Sequence, residues 1–159
     1  MIDTLFLIIL AGILAILYGY IVGKQILSAS PGNKKMQEIA NAIQIGARAY
    51  LKRQYRTIAI VGFIVLIIIT YALGIWVGLG YFIGAFLSGV AGYVGMLVSV
   101  QANVRTAEAS RKGLAAGLAI GFKSGVVTGM LVAGLALLSI AIYYLILIKL
   151  GIENRTIIN

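Results

Sequence analysis

Cysteine and histidine are both missing from these 159 residues, and the single proline is Pro31. Without cysteine there is neither a disulfide framework nor a thiolate-held metal, and nothing fixes the redox compartment. Without histidine, every mechanism that relies on an imidazole near neutral pH is excluded. Acids are almost as scarce: Asp3, Glu38, Glu108 and Glu153 are the complete set, against thirteen lysines and arginines. Spread over the ends and connectors, these carboxylates offer no pair to chelate a metal, take up a proton or activate water. No phosphate-binding loop replaces them, because Lys123-Ser124-Gly125 lacks the preceding glycine and strand of a Walker sequence. No catalytic, cofactor-binding or metal-ligating residue is therefore assigned.

What the chain has is apolar length. Hydrophobic residues make up 62% of it and charged ones 11%, with a mean hydropathy of +1.07, a balance that belongs to integral membrane proteins. A hydrocarbon layer of about 30 Å takes roughly 20 helical residues to cross. Uncharged runs cover residues 4–23, 57–104 and 124–148. The middle run is too long for one helix, and Gly78-Leu79-Gly80, flanked by the interfacial aromatics Trp76 and Tyr81, is its expected turn. An all-α, polytopic membrane protein with four transmembrane helices follows, with spans near 3–23, 57–77, 81–103 and 123–148 in a single domain. The first span carries Asp3 and no leading lysine or arginine, so it reads as a retained helix and not a secretory signal.

The net charge of +9 does not point to nucleic acid, because it is sorted by loop. Lys24, Lys34, Lys35, Arg48, Lys52, Arg53 and Arg56 lie between spans one and two, and Arg105, Arg111, Lys112 and Lys123 between three and four. Only Lys149 and Arg155 fall on the other side. The positive-inside tendency then places both long loops in the cytoplasm and both termini outside.

Within the first loop, Ser30 is the expected helix cap with Pro31 in the first turn. Met36, Ile39, Ala40, Ile43, Ala47, Tyr50 and Leu51 recur at helical spacing, an amphipathic cytoplasmic helix that either lies on the membrane surface or continues span two. The second loop is rich in alanine and glycine, so spans three and four are expected to protrude as a helical hairpin. Glu108 is spaced to pair with Arg111 and Lys112. Asn103 and Arg105, at the end of span three, are placed to tie one loop to another or to meet an anion.

Small residues run through the spans at a period of four. Gly113, Gly117, Gly121, Gly125, Gly129 and Ala133 form one stripe; Gly84, Ser88 and Gly92 form a second, and Ala91, Gly95, Ser99 and Asn103 a third. In lipid, where burying apolar surface brings no gain from water, such stripes let helix backbones approach closely. They are expected to pack helix against helix.

The segment Gly46-Ala47-Arg48-Ala49-Tyr50-Leu51-Lys52-Arg53-Gln54-Tyr55 resembles the approach to the second span of membrane-bound, ion-pumping inorganic pyrophosphatases. Gly89-Val90-Ala91-Gly92-Tyr93-Val94-Gly95-Met96, followed by Ala102-Asn103-Val104-Arg105-Thr106, is similar to that family's third span and its exit. The fourth span, through Gly129-Met130-Leu131-Val132-Ala133-Gly134-Leu135, fits as well. Ile45 stands where members often carry an acid, and Tyr50 where many have phenylalanine. The resemblance implies a pump that couples pyrophosphate hydrolysis, at a cytoplasmic magnesium site, to export of protons or sodium ions from a prokaryotic plasma membrane. It leaves the ion and any potassium requirement open. In that family the magnesium and pyrophosphate ligands and the ion gate come after the fourth span. The implied role here is the amino-terminal scaffold, a fragment or split subunit whose helices belong to the outer ring and whose chain is inactive alone. Its implied partners are lipid and the remaining helices, with a homodimer for the complete protein. A self-sufficient four-helix transporter or non-catalytic assembly subunit is the competing expectation.

Overall fold

The computed structural model describes residues 2–152, so the expectations attached to Glu153 and Arg155, and to the side chain of Asp3, lie outside it. Four helices account for nearly all of it: α1 (Ile2–Ser28), α2 (Lys34–Leu73), α3 (Ile75–Ser110) and α4 (Leu114–Lys149). Each is long and apolar enough to cross a membrane. The amphipathic stretch does not form a separate surface helix; it continues α2 without a break. At 1.5 Å per residue that helix is about 60 Å long, roughly twice the hydrocarbon thickness.

The connections differ from expectation in three places. The cap of α2 is Asn33, not Ser30: its side chain accepts a 2.9 Å hydrogen bond from the Met36 amide. Gly32 takes a left-handed φ of +80°, which ends any helix begun at Pro31, and asparagine caps as well as serine. Ser30 instead accepts from the Gly32 amide at 3.3 Å. The second difference is the turn between α2 and α3, which falls at Gly74, with φ +97°, and not at Gly78-Leu79-Gly80. Gly78 is helical and buried because the hairpin closes there: a Cβ on it would collide with the Thr70 side chain, whose own Cβ lies 3.0 Å away. Glycine marked a close approach at that position, not a bend. Third, Gly113 does not belong to the α4 stripe. With φ +127° it makes the tight turn of the α3–α4 hairpin, which otherwise protrudes as expected.

Each sequential pair of helices among α2, α3 and α4 forms an antiparallel hairpin, while α1 packs on α4. Across the membrane plane the order is α1, α4, α3, α2, with only light contact between α1 and α3. The result is an open row of helices, each with a lipid-facing or unpartnered side, and not a closed bundle. Its most buried cluster joins Val22 and Ile26 of α1, Ala102 of α3 and Val127 of α4, toward the end of the row that carries the α3–α4 turn. Ile26 is fully buried.

Glycines set the two long crossings. A Cβ on Gly12 would stand 2.8 Å from Leu138 Cγ and 3.1 Å from the Gly134 carbonyl oxygen, and one on Gly134 would stand 2.8 Å from the Gly12 oxygen. Backbone therefore meets backbone where α1 crosses α4. Between α3 and α4, Gly95 makes room for a side chain: a Cβ on it would stand 2.8 Å from the methyl and hydroxyl of Thr128.

Candidate functional site

Arg105 makes three side-chain hydrogen bonds, two of them to another part of the chain. From one turn before the end of α3 its guanidinium donates to three carbonyls: Gln101 at 2.7 Å, Leu27 at 3.0 Å and Ala29 at 3.2 Å. Leu27 and Ala29 bracket the carboxyl end of α1, where the last helical carbonyls lack intrahelical partners and the helix dipole is negative. A rigid cationic fork matches that requirement better than the single ammonium of a lysine. Nearby, Lys123 of α4 reaches Gln25 of α1 at 3.3 Å. Of the two readings open for Arg105, the tie between loops is the one the structure holds. Asn103, two residues before it, is exposed and takes no part.

Glu108 pairs with Arg111 at 3.2 Å, one turn apart on the surface, and among the described residues it is the only ion pair. Such an exposed pair contributes little to stability. Magnesium bound to a phosphate compound needs several oxygen donors brought together. Among the described residues no three of the histidine, cysteine, aspartate and glutamate types converge.

At the membrane level two tyrosines lash the row. Tyr55 of α2 donates to the Gly89 carbonyl of α3 at 2.8 Å and meets Tyr93 edge to face, with ring centroids 5.4 Å apart. Gly89 and Gly92 make room for that ring; a Cβ on Gly92 would lie 2.9 Å from the tyrosine hydroxyl. Tyr143 of α4 donates to the Trp76 carbonyl of α3.

The stripe on α4 divides in two. Gly117 is buried against Ser110 at the hairpin, and Gly121 lies in loose contact with Thr106, 3.8 Å from its methyl. Gly125 and Gly129 meet nothing within 4 Å, and together with exposed Phe122, Val132, Ala133 and Ala136 they leave one side of α4 open along several turns. On α3, Gly84 and Ser88 are likewise exposed, whereas Ala91 and Gly95 are buried against α4. Sequence reading missed a further packing row, on α1. Gly12, Gly19 and Gly23 of α1 are all buried, and their spacing of seven and then four is the signal that marks one helix face.

The sequence profile of the family described as inorganic H+ pyrophosphatase matches residues 13–159. A K+-insensitive pyrophosphate-energized proton pump of Methanosarcina mazei is 45% identical over 139 residues, covering 86% of this chain and 21% of the relative. A protein of Bacteroides thetaiotaomicron, provisionally named a K+-stimulated pyrophosphate-energized sodium pump, is 39% identical over 147 residues, with 89% of this chain and 20% of the relative covered. A second proton pump of the K+-insensitive kind, from Pyrobaculum aerophilum, is 37% identical over 99 residues, 58% of this chain and 14% of the relative. The chain thus spans about one fifth of the length of the first two relatives.

Proposed function

This chain belongs to the inorganic H+ pyrophosphatase family, and we propose that its four helices act as a non-catalytic retaining wall in a pyrophosphate-energised pump for protons or sodium ions. The observation that carries the proposal is the unequal use of glycine on α4. Gly134 is consumed in the crossing with α1, while Gly125 and Gly129 face open space on a helix of membrane-spanning length. A glycine inside a helix costs about 1 kcal/mol relative to alanine in water, and in lipid its benefit is the approach of another helix. An unpartnered pair of them on a common face is accounted for by helices beyond these four.

In this reading the wall belongs to the outer part of a larger bundle. The bound magnesium and pyrophosphate, and the path of the ion, are held by residues that this segment does not carry. Its contribution is to fix spacing and tilt. The Arg105 clamp and the two tyrosine bonds keep α1, α2 and α4 in register with α3, and the bare side of α4 receives its neighbours. Both basic connectors lie on the cytoplasmic face, and the α2–α3 turn at Gly74 and the distal end of α4 lie on the outer face. The complete assembly is a homodimer that uses magnesium.

Co-expression tests the reading. The chain, tagged, is expressed with a polypeptide that supplies the rest of a pump of this family, and both are purified in mild detergent. The expected outcome is a stable complex for the wild type and loss of the untagged partner for Gly125→Leu and Gly129→Leu. Recovery of the partner undiminished with both variants refutes the packing role of that face.

A further inference from the structure

Alongside the α2–α3 hairpin runs a groove of about 480 Å³ that the retaining-wall reading does not use. Its walls are apolar and aromatic: Ala59 and Phe63 of α2 face Phe82, Phe86 and Val90 of α3, with Tyr55 and Tyr93 closing one end. Phe63 and Phe86 are each more than 60% exposed, so the rings stand beside the groove without filling it. At the closed end the sequence changes abruptly. Arg48, Lys52, Arg53 and Arg56 occupy the turns immediately before the uncharged run, all four exposed. None has a carboxylate partner among the described residues, where the only ion pair is elsewhere.

Helical spacing connects the two features. Lys52 lies seven residues before Ala59, and Arg56 seven before Phe63, so both cations stand on the flank of α2 that forms the groove's lip. Side chains on a helix lean toward its amino terminus, which carries the charges away from the hydrocarbon and toward the headgroup layer, while their methylene stems stay on apolar surface. A long apolar slot at membrane depth, ending under two unpaired cations at the membrane surface, has the two-part chemistry of one molecule. We infer that the α2–α3 groove is a binding site for an anionic phospholipid, with an acyl chain along Ala59, Phe63, Phe82 and Phe86 and the headgroup phosphate held by Lys52 and Arg56. Arg48, one turn farther out on the same flank, adds to the attraction, whereas Arg53 points to the other side of the helix.

Charge complementarity selects this occupant over a further protein helix. An apolar helix in the groove leaves Lys52 and Arg56 unpaired beside it, and a free phosphate leaves the aromatic slot unfilled. The inference stands on the membrane-spanning fold alone and does not depend on the retaining-wall role.

The test is native mass spectrometry of the full chain, in whatever assembly it purifies, released from bilayers of equimolar phosphatidylcholine and phosphatidylglycerol. Retained phosphatidylglycerol should exceed phosphatidylcholine at least fivefold. The double variant Lys52→Gln/Arg56→Gln should bring that ratio close to one, and Ala59→Trp, which fills the slot without altering charge, should lower lipid retention as well. Arg111→Gln, a charge removed at the hairpin, should leave the ratio unchanged, and circular dichroism identifies any variant that has lost helix. Equal retention of the two lipids by the wild type overturns the site. So does an unchanged ratio in the double variant, undiminished lipid retention in Ala59→Trp, exclusion of lipid from the groove by another polypeptide, or displacement of phosphatidylglycerol by millimolar inorganic phosphate.

Discussion

At the residue scale, the chain spends its few polar side chains on backbone. Tyr55, Arg105 and Tyr143 each donate to a carbonyl of another helix, and Asn33 accepts from the first turn of its own. The consequence is a fold tied by hydrogen bonds that no side-chain pairing would disclose. Arg105→Met should cost about 2 kcal/mol, since hydrogen bonds from charged donors contribute roughly 1.5–3 kcal/mol when buried and less where water reaches them. In a thermal melt in detergent this corresponds to a fall of several degrees, at about 2–4 °C per kcal/mol for a chain of this size. Arg105→Lys should recover less than half of the loss, because an ammonium cannot span carbonyls on either side of the helix end. A lysine variant as stable as the wild type shows that charge, and not the fork, is what matters. Tyr55→Phe is milder: such bonds between membrane helices average about 0.6 kcal/mol and reach at most about 1.7 kcal/mol.

Sequence alone brought Arg105 to notice but could not say what it held. Its partners, Leu27 and Ala29, lie 78 and 76 residues away, and both contribute carbonyls, which every residue has. That the four acids fall outside the uncharged runs was legible because it needs only their positions in the sequence. The position of the α2–α3 turn was not. Gly74, Gly78 and Gly80 carry the same letter, and only the third dimension separates the one with a positive φ from the two beneath Thr70 and Tyr143.

At the element scale, a period of four identifies helix faces but not their neighbours. The stripes on α3 and α4 were visible in the sequence. Which part of each was already used depended on α1, whose row of Gly12, Gly19 and Gly23 occupies Gly134 and the turns before it. This distinction separates two classes of substitution. Gly12→Leu or Gly134→Leu should break the chain's own fold, because backbone lies about 3 Å from the new Cβ; overpacking of this kind costs about 1–3 kcal/mol or more. Gly125→Leu should not lower the melt of the isolated chain, since the added atoms enter open space, and the better helix propensity of leucine should raise it by up to about 2–4 °C. Melting curves of the three variants check both halves, and a large loss for Gly125→Leu in isolation would show that this face is already occupied within the chain.

For the whole molecule, two independent features give one topology. Basic residues cluster on the helix ends that meet at the α1–α2 and α3–α4 connections, and the row of antiparallel helices puts those connections at the same end. The lack of native cysteine makes the arrangement easy to probe. Single cysteines at Ser30 and Lys112 should react with a membrane-impermeant maleimide only from the cytoplasmic side, and one at Tyr71, 94% exposed beside the Gly74 turn, only from the outside. Opposite labelling of the first two positions is incompatible with this fold in a bilayer.

On the retaining-wall proposal these helices enclose the work of a pump without performing it. The measurement that meets this proposal most directly is pyrophosphate-driven ion uptake into vesicles containing the chain, with and without a polypeptide that supplies the rest of a family pump, in magnesium buffer. No uptake and no phosphate release are expected from the chain by itself, and both activities once the complement is present. Pyrophosphate turnover coupled to ion movement by the purified chain alone would contradict the proposal.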